Sequence, residues 1–157
     1  MAQRILILNG PNLNLLGKRE PSIYGDETLA GVMSRCAELG RELGLDVEDF
    51  QSNHEGELVD RLQQAGREGI GVILNAGAYS HTSIALRDAI SGAGTAVVEV
   101  HISNIHAREA FRHESLISAV AMGMICGLGT QGYLLAVRAF AAHMHTDGAK
   151  TLEGKNG

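Results

Sequence analysis

Tryptophan is absent, and Phe and Tyr together reach only 4% of the chain. Few ring platforms are therefore available for stacking unpaired bases. The net charge of −5 also argues against nucleic acid as the main partner. Two cysteines, Cys36 and Cys126, stand apart in apolar segments. They read as small core residues, and two isolated thiols make neither a disulfide framework nor a zinc knuckle. No apolar run approaches the length of a membrane span and no segment has the layout of a signal peptide, so a cytoplasmic protein is the simplest expectation. Lysine is scarce as well. Lys18, Lys150 and Lys155 all fall in loop or tail segments, which makes imine chemistry by a buried, deprotonated amine improbable. What is present, 157 residues with 45% apolar and 20% charged side chains, suits one domain with a proper core.

Arg4 to Leu8 is an apolar run closed by Asn9-Gly10-Pro11, the pattern of a buried strand. A breaker-rich loop from Asn9 to Glu27 follows. Leu29, Val32, Met33, Cys36, Leu39 and Leu43 then recur at helical spacing, with Gly44 as the stop. Leu45 to Phe50 alternates in part, as an edge strand does, and a helix over about Glu55 to Ala65 buries Leu58, Val59 and Leu62. A third strand, Gly71 to Leu74, precedes a helix starting near Ser80 to Thr82 with Ile84, Ala85, Ala89 and Ile90 as its inner stripe. The fourth strand grows from Ala96-Val97-Val98, the fifth is Met122 to Cys126, and the last helix is Gly132 to Met144. The expected layout is one domain over 1–146 and a polar, disordered tail over 147–157.

Strands alternating with helices imply a parallel sheet covered on both faces, an α/β fold. The common five-stranded order, 2-1-3-4-5, puts the topological switch between strands one and three. Ligands bind outside the carboxyl ends of strands at such a point. Asn12, the segment Asn75 to His81, and His101 to Ser103 would meet there although they lie far apart in sequence.

The stretch Glu99 to Arg112 carries the most chemistry. Side chains alternate along a strand, so Glu99 and His101 share a face. Ile102-Ser103-Asn104 then leaves the strand, and a short polar helical stretch is expected to carry Arg108 and Arg112 one turn apart. A carboxylate beside an imidazole, followed by free amides and two guanidiniums, suits an anionic ligand and a proton transfer. A merely solvated charge run would leave Glu99 and His101 at the strand's end unexplained. His81 reads either as a satisfied histidine at a helix start or as a ligand contact; His106 and His113 read as surface residues.

Other motifs carry less. Gly127-Leu128-Gly129-Thr130-Gln131-Gly132 matches G-x-G-x-x-G, but a dinucleotide fingerprint opens a βαβ unit and only a helix and tail follow here. Tight packing of helix on sheet is the better reading of these glycines. Six residues separate Gly10 from Gly17, where a phosphate loop has four, and Arg19 stands where magnesium would need a hydroxyl. His54-Glu55 lacks the second histidine of a zinc-protease helix, so no metal is expected. No serine has a nucleophile-elbow sequence. Tyr24, by contrast, sits in a glycine- and proline-bounded loop instead of a core stripe. A phenol, with an ordinary pKa of about 10, is a poor base at neutral pH. A guanidinium such as Arg19 nearby would favour the phenolate, and a mobile loop carrying both could close over the mouth.

Together these residues resemble the type II 3-dehydroquinate dehydratases. Asn9-Gly-Pro-Asn-Leu-Asn-Leu-Leu-Gly17, Arg19-Glu-Pro, Tyr24-Gly25, Gln51-Ser-Asn-His-Glu-Gly56, Asn75-Ala-Gly77, His81-Thr-Ser83, Glu99-Val-His-Ile-Ser-Asn104, His106-Ala-Arg-Glu109 and Phe111-Arg112 all match family motifs. So do Gly127-Leu-Gly129 and Gly132-Tyr133, and the likeness runs from about Arg4 to Met144. The resemblance implies a flavodoxin-like fold and a cofactor-free dehydration of 3-dehydroquinate to 3-dehydroshikimate in the shikimate pathway, by anti elimination through an enolate. It also implies a homododecamer of four trimers. On this pattern Tyr24 is the base, Arg19 holds it as phenolate, and Asn12 stabilises the enolate oxygen through a water. His101, oriented and kept protonated by Glu99, donates a proton to the departing hydroxyl. The amides of Ile102 and Ser103 cradle the substrate carboxylate; Asn75, His81 and Arg112 bind its hydroxyls; Arg108 supports the site electrostatically; Asp88 reaches in from a neighbouring subunit.

Two positions depart from the pattern: Glu114 stands where the family often has a second histidine, and Leu116 replaces a frequent tyrosine. The rival reading is a non-catalytic module of the same fold that binds a small anion or nucleotide at the same mouth.

Overall fold

The computed structural model describes residues 2–18 and 27–153. Its strands are β1 (Gln3–Asn9), β2 (Leu45–Gln51), β3 (Gly71–Asn75), β4 (Val97–His101) and β5 (Gly123–Cys126). Its α-helices are α1 (Leu29–Glu42), α2 (Glu55–Glu68), α3 (Ile84–Ala93) and α4 (Gln131–Glu153). All strand pairings are parallel, in the order β2-β1-β3-β4-β5. This is the flavodoxin-like arrangement expected from the alternation of elements, with β2 at an edge.

Strand periodicity splits the core into two layers. Ile5, Ile7, Ile73, Val98 and Val100 face α1 and α4 in one buried cluster. Leu6, Leu8, Val72, Leu74 and Val97 face α2 and α3 in the other. The same parity continues into the polar ends of the strands. Asn9 and Asn75 point toward α4, whereas Glu99 and His101 fall on the opposite face.

Three expectations need correction. Helix α3 begins at Ile84, just past the expected start near Ser80 to Thr82, because Gly77–His81 forms a 3-10 turn and the Ser83 hydroxyl caps α3 by accepting from Leu86 N at 2.9 Å. Ile84 and Ala85 consequently face outward, Ile84 with 63% exposure, and Leu86 takes their place in the stripe with Ala89 and Ile90. Arg108 and Arg112 do not share a helix: the turns Ile105–Ala107 and Ala110–Arg112 are separate, with Arg108 extended between them. Finally, α4 runs over Gln131–Glu153 where the expected last helix was Gly132 to Met144.

Candidate active site

The carboxyl ends of β1, β3 and β4 open onto a cavity of about 200 Å³. Its polar lining is Asn12, Asn75, His81, His101, Ser103, Arg108 and Arg112, with Ile102 beside them and Leu13, Leu15, Leu16 and Ile105 as apolar wall. Carboxylates are missing from this lining among the described residues, while two guanidiniums are present. The field therefore favours an anion.

Glu99 lies behind this surface and has no exposure, and His101 has 5%. The ring's Nε2–H donates to Glu99 Oε2 at 2.6 Å, which leaves Nδ1 as the nitrogen for the cavity. An unpaired buried carboxylate would cost several kcal/mol, and Glu99 is not unpaired. Ser115 Oγ donates to Oε2 at 2.7 Å and Ser118 Oγ to Oε1 at 2.8 Å. Burial pushes the Glu99 carboxyl up, but the hydrogen bonds from His101, Ser115 and Ser118 and the imidazole charge outweigh it, so Glu99 is held below the ordinary carboxylate value. The His81 ring stacks on His101 with centroids 6.3 Å apart. His81 is itself oriented by donation from Nδ1 to the Glu114 carbonyl at 2.7 Å, which presents Nε2 as its open nitrogen.

Each remaining group is fixed from behind. Tyr133, fully buried on α4, donates to Asn9 Oδ1 at 2.6 Å and accepts from Asn75 Nδ2 at 2.8 Å, while Asn75 Oδ1 accepts from Gly77 N at 3.2 Å. Burial pushes the Tyr133 phenol up, so it stays neutral and bridges the two amides. Asn12 has a left-handed backbone (φ 68°), and its N–H donates to Asn53 Oδ1 at 3.0 Å. Gly10 approaches β3 so closely that a Cβ there would lie 2.4 Å from the Ala76 carbonyl oxygen.

The loop after β4 is held by the next glycine-rich turn. Gly127 N–H donates to the His101 carbonyl at 3.1 Å and Gly129 N–H to the Ile102 carbonyl at 3.0 Å. In a trans peptide the N–H points opposite to the preceding carbonyl. The amides of Ile102 and Ser103 are thus turned away from the glycine turn, and both residues line the cavity. Arg112 Nε donates to Glu109 Oε2 at 2.5 Å, and His113 Nε2 to the Arg108 carbonyl at 2.8 Å. Among the described residues no group of three His, Cys, Asp or Glu side chains is placed to hold a metal ion, and no helix is long and apolar enough to cross a membrane.

The sequence pattern of the family described as Dehydroquinase class II matches residues 3–141. The chain belongs to the class II dehydroquinase family. A 3-dehydroquinate dehydratase from Ruegeria pomeroyi is 61% identical over 146 residues, covering 93% of this chain and 98% of that one. A relative named 3-dehydroquinate dehydratase 1 from Agrobacterium fabrum is 60% identical over 139 residues, 88% of this chain and 96% of its own. In structure the chain is similar to the type II dehydroquinase from Propionibacterium acnes, with TM-score 0.88 and 48% identity over 90% of this chain and 98% of the other.

For a class II dehydroquinase read from sequence alone, eight of the residues singled out fall on one cavity, with Glu99 directly behind His101. Asp88 does not join them: it is exposed on α3 and lines a shallow groove with Gln63 and Arg67. Arg19 and Tyr24 lie outside the described residues. The two departures, Glu114 and Leu116, meet His81 and Arg87 through main-chain carbonyls, so their side-chain identity does not enter these contacts. Sequence reading missed the supports: Asn53, Ser115 and Ser118, and Tyr133. Asn53 and Tyr133 stood inside motifs to which no role was given; the two serines carried no pattern at all.

Proposed function

We propose that this chain dehydrates 3-dehydroquinate to 3-dehydroshikimate in the shikimate pathway, the route to aromatic amino acids. The observation that carries the reading is the buried Glu99–His101 pair, 2.6 Å apart, at the rim of a small cavity lined by two guanidiniums in a class II dehydroquinase. The carboxylate hydrogen-bonded behind the ring fixes its orientation, as a proton donor at the cavity rim requires.

In this reading the Tyr24 phenolate, held by Arg19, takes the proton next to the ketone, and the electron pair moves into an enolate. Asn12 stabilises the enolate oxygen through a water. The enolate then collapses, the C–O bond on the opposite face breaks, and His101 gives its proton to the hydroxyl that leaves as water. The Ile102 and Ser103 amides cradle the carboxylate. Asn75, His81 and Arg112 bind hydroxyls, and Arg108 supplies field. In this reading the chemistry uses neither metal nor imine; among the described residues the cavity lining holds no lysine. We place the enzyme in the cytoplasm, in keeping with free thiols at Cys36 and Cys126.

The assembly inferred is a homododecamer of four trimers, with Asp88 contributed across an interface. Ile84 and Asp88 are one turn apart on the outer face of α3, away from their own cavity. An apolar side chain 63% exposed beside an acid suits a covered surface. Sedimentation velocity should give the assembly; a fully active monomer would exclude the Asp88 role. The chemistry is tested by following the conjugated enone spectrophotometrically with 3-dehydroquinate. Tyr24→Phe and His101→Ala should each lose several orders of magnitude in kcat with far less change in KM. Undiminished kcat in either variant removes that residue from its role.

A further inference from the structure

We propose that Ser115 and Ser118 are positioning residues of this active site: their hydroxyls fix the Glu99 carboxylate and, through it, the His101 ring. The inference rests on His101 acting as the proton donor.

The geometry is specific. Each carboxylate oxygen has its own serine, Oε2 from Ser115 at 2.7 Å and Oε1 from Ser118 at 2.8 Å, with His101 Nε2 completing Oε2. The secondary contacts of the same hydroxyls, 3.1 and 3.3 Å, cross to the other oxygen, so the carboxylate plane is fixed and cannot rotate freely. Both serines come from the crossover between β4 and β5, outside the cavity lining. From the neighbouring strands, Leu74 of β3 and Met124 of β5 stand in register with Glu99 and bring no charge. Of the three groups hydrogen-bonded to the carboxyl, His101 is the titratable one.

Neutral donors matter here. A lysine or arginine in place of the serines would cancel the carboxylate's charge before the imidazole met it. Hydroxyls stabilise the ionised form through dipoles and leave the full negative charge facing the ring. Removing them makes Glu99 easier to protonate, and a protonated Glu99 neither attracts nor orients an imidazolium.

The test is the pH profile of kcat with 3-dehydroquinate for Ser118→Ala, Ser115→Ala and the double variant. Hydrogen bonds to a charged group predict losses of roughly ten- to a hundredfold in kcat, with KM little changed. The acid-side fall of kcat should also begin at higher pH. Because Ser115 Oγ additionally accepts from Ile117 N, the Ser118 variant is the cleaner probe of the two. Ser118→Thr keeps the hydroxyl and should recover both the rate and the profile. In a Glu99→Gln background Ser118→Ala should cost almost nothing further. An unshifted acid limb, or an undiminished cost in that background, overturns the inference. His101→Ala run alongside separates the failures: if it keeps native kcat, the acid assignment itself is wrong, whereas a collapse there with unshifted serine variants sinks only the serine role.

Discussion

Asn53 Oδ1 accepts the backbone N–H of Asn12 at 3.0 Å, so a residue after β2 holds a residue after β1 in a left-handed conformation. The clamp is itself braced. Gln51 Nε2 donates to Asn53 Oδ1 at 3.2 Å and to the Gly10 carbonyl at 3.1 Å, and Tyr79 Oη donates to the Asn53 carbonyl at 2.8 Å. A left-handed residue costs about 1–2 kcal/mol, less for Asn, and one neutral hydrogen bond returns about 1 kcal/mol. The two are comparable, so the clamp decides whether Asn12 stays in place.

Asn53→Ala should therefore release Asn12 while leaving the sheet intact. A loss of about 1.4 kcal/mol is tenfold in rate, so kcat should fall by about tenfold with a small change in Tm. Asn53→Asp keeps an acceptor oxygen for Asn12 N–H and should stay within a few-fold of native kcat. Steady-state kinetics and thermal melts of the two variants decide it. Equal loss in both would mean that the acceptor is not what matters.

The sheet order and the mouth were legible because apolar runs closed by Asn, Gly or Pro mark strand ends, and ligands gather at those ends whatever their sequence separation. Supporting contacts leave no such mark. Ser118 lies 19 residues from Glu99 along the irregular β4–β5 crossover, and Tyr133 lies 124 from Asn9, on a helix that the whole sheet separates from β1 in sequence; neither pairing has a periodicity to read. Ile84 shows the opposite failure. Its apolar character placed it inside by pattern, but the helix, capped by the Ser83 hydroxyl, starts only at Ile84 and leaves that side chain outside.

The glycine turn after β5 predicts a binding defect instead of a chemical one. Gly127 has φ 85°, and a Cβ there would sit 3.0 Å from Asn104 Cβ. Gly127→Ala should push this turn off the His101 and Ile102 carbonyls and so re-aim the Ile102 and Ser103 amides. A charge-assisted hydrogen bond is worth about 1.5–3 kcal/mol, so KM for 3-dehydroquinate should rise roughly tenfold or more. The kcat should fall less, since Glu99 and His101 remain in β4. A rise in KM no larger than the fall in kcat would assign the turn to catalysis and not to carboxylate binding.

Acid should act on stability through Glu99, with a sign that follows from its shift. Its carboxyl is held below the ordinary value of 4.5 in the folded chain. The unfolded state therefore binds the proton first, and stability falls as pH drops through the folded value. The contribution is complete above about pH 4.5 and is lost progressively below it. Glu99→Gln removes this titration while keeping the shape, so it imitates the protonated acid. Native protein should melt higher than Glu99→Gln at about pH 6, and the gap should narrow steadily toward about pH 3. Titrations of all other carboxylates are common to both proteins and cancel in the difference. The measurement is the difference in Tm between the two at matched protein concentration, since assembly also moves Tm. A gap that stays constant across that range would mean that the Glu99 charge, buried against His101, Ser115 and Ser118, does not hold the fold together.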